Sequence, residues 1–216
     1  NLIIPGPGAY TELDTYIPFN FYLEDIDNDG LNELFNNTLN NISPTNGELS
    51  IQSSNLPLFD KPTQTNTKFA DFDNNGLIDV FRNKDGIYLQ TSANNFVKHG
   101  SSTGTVGNMS SPILTDINND GYADIIDVSS KIIYINQTLS FVNQGTLTYN
   151  PVFAIELNGD GKIDFVVRNG TTYYTCINNG SFNFTYNLLS LPEPIYPVGD
   201  INNDGSSDLA AGNSIY

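Results

Sequence analysis

Nine residues, Asp25-Ile26-Asp27-Asn28-Asp29-Gly30-Leu31-Asn32-Glu33, set the pattern of the whole chain, because the same side-chain grammar returns at 71–79, 116–124, 156–164 and 200–208. Every copy has Asp, Asn or Glu at positions one, three, five and nine, Gly at six, and Ile, Phe or Leu at two. The copies begin at residues 25, 71, 116, 156 and 200, so the intervals are 46, 45, 40 and 44 residues. A period of this size belongs to propellers and other repeat arrays.

The flanks of the loops decide between those architectures. Short apolar or β-branched runs precede each loop, at 19–23, 67–69, 113–115, 152–155 and 195–198, and others follow at 34–35, 80–81, 125–126, 165–167 and 209–211. They are too short for helices and rich in strand formers, so each loop joins two strands of a hairpin. A third strand is expected at 86–90, 131–135 and 172–176, and a weaker fourth near 96–97, 141–142 and 182–184. Four strands in each period is the content of one propeller blade. The expected fold is therefore all-β, a propeller of four-stranded antiparallel blades forming a single domain over residues 1–216. Pro112, Pro151 and Pro197, just ahead of loops, are expected at crossings between blades.

The number of blades follows from the two ends. The last repeat stops early in its third strand, and the interval from Asp200 round to Asp25 is 41 residues, in line with the others. The N-terminal strands are therefore expected to complete the last of five blades and so remove exposed sheet edges. The alternative is a piece of a longer array of blades.

The loop chemistry is that of a hard cation. Calcium takes six to eight oxygens, and a short loop supplies them from alternate side chains and one backbone carbonyl. The expected ligands are Asp25, Asp27, Asp29, Leu31 and Glu33 in the first loop and Asp71, Asp73, Asn75, Leu77 and Asp79 in the second. The third loop offers Asp116, Asn118, Asp120, Tyr122 and Asp124; the fourth offers Glu156, Asn158, Asp160, Lys162 and Asp164; and the fifth offers Asp200, Asn202, Asp204, Ser206 and Asp208. Residues at the seventh position contribute through the backbone oxygen. An EF-hand closes with Glu at position twelve, whereas the residues here are Asn36, Arg82, Asp127, Val167 and Ala211, so the ninth residue must close the shell. Asx-rich turns form without metal, but five copies in register favour one, and the expected cofactor is Ca2+, four or five ions. The fourth loop is the weakest, since Glu156 is longer than Asp and Gly159 loosens the turn.

Charge agrees. The chain carries 24 acidic residues against 8 Lys and Arg, a formal net charge of -16. The loops hold sixteen of those carboxylates, so five calcium ions bring the charge to -6. Such a surface repels nucleic acid and anionic lipid, and the sequence has no apolar run long enough for a membrane helix. Neither partner is expected. With 38% hydrophobic residues the chain is expected to fold. The lone Cys176 reads as a small buried hydrophobe. Sequons at Asn36, Asn41, Asn108, Asn136, Asn169, Asn179 and Asn183 suit a secreted glycoprotein, though an Asn-rich chain produces many by chance.

The stretches 25–35, 71–81 and 116–126 and their two companions resemble the FG-GAP (VCBS-type) repeats of integrin α-subunit propellers and of related bacterial and fungal surface proteins and lectins. The resemblance covers nearly the whole chain. It implies a propeller whose calcium ions rigidify hairpin loops on one face, with partners bound elsewhere; integrin propellers have seven blades, a difference from the five repeats here.

The function expected is a calcium-stabilised extracellular or cell-surface module that binds a protein or a glycan. A lectin proper would stack sugars on Tyr10, Tyr16, Tyr149, Tyr186 or Tyr196, although aromatics more often serve packing. A structural propeller within a larger surface assembly is the other alternative. An enzyme is not expected: most carboxylates belong to loops, His99 lies in a polar stretch with no partner motif, and Glu12, Asp14, Asp60, Asp85 and Glu193 form no pattern.

Overall fold

Strands form where apolar residues alternate or run between Asn- and Gly-rich turns, and five antiparallel sheets result among the described residues. A computed structural model describes residues 22–26, 33–35, 39–42, 49–51, 67–100, 109 and 112–216, with side chains for 25–26, 67–100, 109 and 112–216. The first sheet holds β1 (Tyr22–Glu24), β2 (Glu33–Phe35), β3 (Leu39–Ile42) and β4 (Leu49–Ile51). The second holds β5 (Thr67–Ala70), β6 (Asp79–Arg82), β7 (Gly86–Ser92) and β8 (Asn95–His99). The third holds β9 (Ile113–Thr115), β10 (Asp124–Asp127), β11 (Ile132–Gln137) and β12 (Ser140–Thr146). The fourth holds β13 (Asn150–Ile155), β14 (Asp164–Asn169), β15 (Thr172–Asn178) and β16 (Phe184–Leu189). The last has three strands, β17 (Ile195–Gly199), β18 (Asp208–Ala211) and β19 (Ser214–Ile215).

Each sheet is an up-and-down meander in which sequence neighbours pair, and each of the first four is a propeller blade. The fold class is the all-β propeller expected from the repeat. Every nine-residue loop joins the first and second strands of its sheet. The strands that were expected to complete the last blade fall within residues 1–21, outside the described residues.

The chain divides into two compact units, residues 1–71 with 75–107, and residues 72–74 with 108–216. In the first unit Ile26, Val80, Tyr88 and Phe96 form a buried cluster with Phe69 against it. In the second, β14 explains why its sequence is apolar without alternation. Phe165 and Val167 face Ile117, Ile126, Ile133, Ile135, Leu147 and Cys176, while Val166 faces Ile155, Ile195, Leu209 and Ala211. Both faces of this blade are covered by neighbouring sheets, so successive side chains are buried in turn.

Pro151 and Pro197 are not at crossings. They lie inside β13 and β17, next to register shifts at 151–153 and 197–199. Both strands are the outermost of their sheets, where a residue without an N–H breaks no ladder. The fourth strand of the fourth blade also starts later than expected, at Phe184, because Ser181 and Phe182 adopt positive φ in the turn.

Candidate cation loops

In the second, third and fifth loops the first residue builds the turn. The Asp71 carboxylate accepts the N–H groups of Asn75 (3.2 Å) and Gly76 (2.8 Å), Asp116 those of Asp120 (3.1 Å) and Gly121 (2.8 Å), and Asp200 those of Asp204 (3.1 Å) and Gly205 (2.9 Å). The fifth residue then accepts the N–H of the seventh, as in Asn75 to Leu77, Asp120 to Tyr122, Asp160 to Lys162 and Asp204 to Ser206. These bonds curl the backbone of the described loops into tight turns. Gly at position six has positive φ in every described copy, which a side chain resists. At Gly121, with φ of 91°, a Cβ would also lie 2.6 Å from Asn74 Nδ2. Gly121→Ala is expected to cost about 1–2 kcal/mol, read as a lower melting temperature with the fold retained by circular dichroism.

The ninth residue has a structural role of its own. Asp124 is fully buried, with one oxygen accepting the N–H of Ile117 (2.8 Å) and the other that of Asn136 (2.7 Å). Asp164 likewise accepts from Leu157 (3.0 Å) and Asn178 (2.7 Å), and Asp79 accepts from Gln90 (2.7 Å). Asp208 accepts from Ile201 (2.9 Å). In the third and fourth loops this carboxylate therefore ties the loop's second residue to the third strand, and its remaining lone pairs are what a cation would use. Burial pushes the Asp124 carboxyl up to about 6 against the pull of its two N–H donors, and Asp120 and Asp116 push the same way. Burial likewise raises Asp164. Charge at these positions is costly until an opposite charge joins it.

The second loop brings a ligand oxygen from each of Asp71, Asp73 and Asp79 within 4.8 Å of one another, the one such acidic group among the described residues. Oxygens about 2.4 Å from a single ion lie no farther apart than about 4.8 Å. The donor set, hard oxygens only, suits a hard divalent cation. The third, fourth and fifth loops, whose carboxylates stand at positions one, five and nine with Asn at three, do not form such a group. Lys162 Nζ pairs with Asp160 at 2.8 Å, and Glu156 gathers the N–H groups of Asn158, Gly159 and Asp160 on one oxygen. The fourth loop thus departs from its fellows at Glu156, whose length made it the weakest in sequence, and also at Lys162, which the sequence did not single out. Asp25 and Ile26 are described; Asp27, Asp29 and Leu31 lie outside the described residues, as does the Glu33 side chain.

An amide that the sequence reading passed over links successive loops. Gln90 donates its backbone N–H to Asp79 and its Nε2 to the carbonyl of Ile26 (2.6 Å). Asn136 does the same with Asp124 and Phe72 (2.8 Å), and Asn178 with Asp164 and Ile117 (3.4 Å). Each of the three follows the third-strand residue opposite the ninth loop position. Ile42 stands at that register in the first sheet. Asn136 is one of the sequon asparagines, but it is fully buried with its amide committed, which leaves no room for a glycan.

Tyr149 stacks on Tyr174 (4.5 Å between centroids) and meets Tyr186 edge-on (5.3 Å), and the Tyr186 hydroxyl accepts the N–H of Thr148, so both serve packing. Tyr196 is 57% exposed; Tyr10 and Tyr16 lie outside the described residues. Cys176 is buried and its thiol is pushed up to about 12 by burial, which suits a packing residue and not a nucleophile.

Asp85 belongs to a network that the sequence did not show. It accepts Arg82 Nη1 (2.5 Å), Lys98 Nζ (2.5 Å) and the Tyr88 hydroxyl (2.8 Å). Burial works to raise its carboxyl, yet the bonds from Lys98, Arg82 and Tyr88 outweigh it and hold the group at about 2. With the folded value below the unfolded one of about 3.9, this stabilisation is whole above about pH 4 and is lost as pH falls towards about 2. The stability gap between wild type and Asp85→Asn, measured by denaturant melts, is expected to close over that window.

These hairpins with acidic loops define a class of repeat, and the family model for the FG-GAP-like repeat matches residues 71–126 and 157–211. The chain belongs to the FG-GAP-like repeat family. It is 35% identical over 112 residues to integrin alpha-PS5 of Drosophila melanogaster, covering 44% of this chain and 11% of that protein, and 33% identical over 110 residues to integrin alpha-PS3 of the same organism, covering 43% and 10%. The chain thus spans about a tenth of the length of these relatives. Among solved structures it is similar to an Agrocybe aegerita lectin that specifically recognises non-reducing terminal N-acetylglucosamine, with a TM-score of 0.61 and 20% identity over 88% of this chain and 59% of that one. That likeness is one of fold.

Proposed function

We propose that the chain is a calcium-stabilised binding module of the extracellular space or cell surface, with a protein or a glycan as its partner. The observation that carries this reading is the convergence of Asp71, Asp73 and Asp79 in a loop whose grammar recurs through the chain. In the second loop these three, with Asn75 and the Leu77 carbonyl, would hold the ion, and the corresponding positions of the other loops would hold theirs. Calcium, when bound, supplies the positive charge that the raised Asp124 and Asp164 carboxyls lack. Integrin and lectin relatives support a role in binding, and extracellular calcium is abundant enough to fill modest sites. We assign the chain a binding role in place of catalysis, as a single propeller domain. Among the described residues no helix is long and apolar enough to cross a membrane.

A glycan-array screen with calcium, repeated with chelator, tests the partner. The lectin form of the proposal expects calcium-dependent signal on a defined sugar class that Tyr196→Ala weakens, Tyr196 being the exposed aromatic among the described candidates. Silence on all sugars removes the glycan form and leaves a protein partner, to be sought with the same calcium dependence.

A further inference from the structure

The loops touch one another in a repeating way that no single loop requires. Asn119, at position four of the third loop, donates Nδ2 to the carbonyl of Gly161, at position six of the fourth, at 2.7 Å. Asn74 and Gly121, at the same two positions one loop earlier, abut so closely that a Cβ on Gly121 would overlap the Asn74 amide. Gly159 faces the carbonyl of Gly205, and the Ser207 N–H bonds the carbonyl of Glu156 at 2.9 Å. Position four of one loop therefore rests on position six of the next along this rim.

Beneath the rim lies the second tie, made by the buried amides. Asn178 holds the Ile117 carbonyl of the third loop, the Ile163 carbonyl of the fourth (3.2 Å) and, through its N–H, the Asp164 carboxylate. Asn136 holds Phe72 of the second loop together with Ala123 and Asp124 of the third. One side chain thus fixes the turn of one loop and the closing carboxylate of the next. A loop drawn tight by an ion sets the carbonyl to which its neighbour's amide must bond, and the orientation of its own fourth residue sets the neighbour's glycine turn.

We infer that the cation loops are coupled, so that filling the third raises the affinity of the fourth through Asn119 and Asn178. The inference rests on the calcium reading and concerns the regulation of those sites. Coupling carried by such contacts is commonly worth 5-fold or more, and linkage makes it reciprocal.

Hydrogen exchange read by peptide mass spectrometry, with the whole chain titrated with calcium, tests it. The readout is the calcium midpoint for protection of peptides spanning 156–164. Asp120→Ala, which weakens the third loop, and Asn119→Gly, which removes the rim amide yet keeps the positive φ of 59° accessible, are each expected to raise that midpoint at least about fivefold. Asp160→Ala should in turn raise the calcium midpoint of the third loop, read on peptides spanning 116–124, because the coupling is reciprocal. A fourth-loop midpoint unmoved by either third-loop variant overturns the coupling and leaves calcium binding standing. An absence of calcium-dependent protection in the wild type overturns the calcium reading, and the coupling falls with it.

Discussion

Stripping calcium with a chelator is expected to lower the melting temperature by at least about 20 °C. A ligand held at a hundredfold above its Kd stabilises the native state by about 2.7 kcal/mol, and contributions from separate sites accumulate. For a chain of this size each kcal/mol moves the midpoint by about 2–4 °C, so four or five filled loops account for a change of this order. The physical cause is the concentration of carboxylates. Sixteen lie at loop positions, Asp124 is held at about 6 chiefly by burial, and neighbouring acids in the third and fourth loops raise the cost of ionising their ninth residues. Calorimetry with and without chelator reads the shift directly, and a melt unchanged by chelation would remove calcium from the account of stability.

Asp124→Ala is expected to destabilise the fold by about 3–5 kcal/mol even without metal. The substitution strands the N–H groups of Ile117 and Asn136, both on buried residues, and each unsatisfied buried donor costs about 1–3 kcal/mol. Asp120→Ala provides the contrast. Asp120 is exposed and its bonds serve a turn at the surface, so its loss in metal-free protein is expected to cost about 1 kcal/mol or less. Urea melts in chelator separate the two. Equal effects would mean that the ninth residue has no structural role beyond the metal site.

The contrast between positions five and nine also marks what the sequence could convey. The spacing of the loops, their hairpin placement and the strands on either side are local, and local periodicity writes them into the chain. Position nine reads as a ligand because it is acidic and in register. That it also joins Ile117 to Asn136 across the sheet depends on pairing between β10 and β11, which no local pattern states.

Gln90, Asn136 and Asn178 were illegible for a related reason. They sit 11, 12 and 14 residues beyond the ninth position, because the hairpin turns between second and third strands differ in length. The constancy is in strand register, and in an Asn-rich chain a polar residue at a strand end draws no notice. Asn136 falls in a sequon, one of those an Asn-rich chain produces by chance, and it is a buried tie between loops. Tyr149 and Tyr186 have the packing role expected of most aromatics, on Tyr174 and Thr148; which partners they take depends on which strands come together. Asp85 formed no pattern because Arg82, Tyr88 and Lys98 reach it only once β6, β7 and β8 are paired.

Native mass spectrometry of the folded chain in calcium, repeated after chelation, counts the bound ions. The mass is expected to rise by four or five calcium ions and to return to the metal-free value with chelator. A folded chain that keeps its metal-free mass in calcium would contradict calcium binding by the loops.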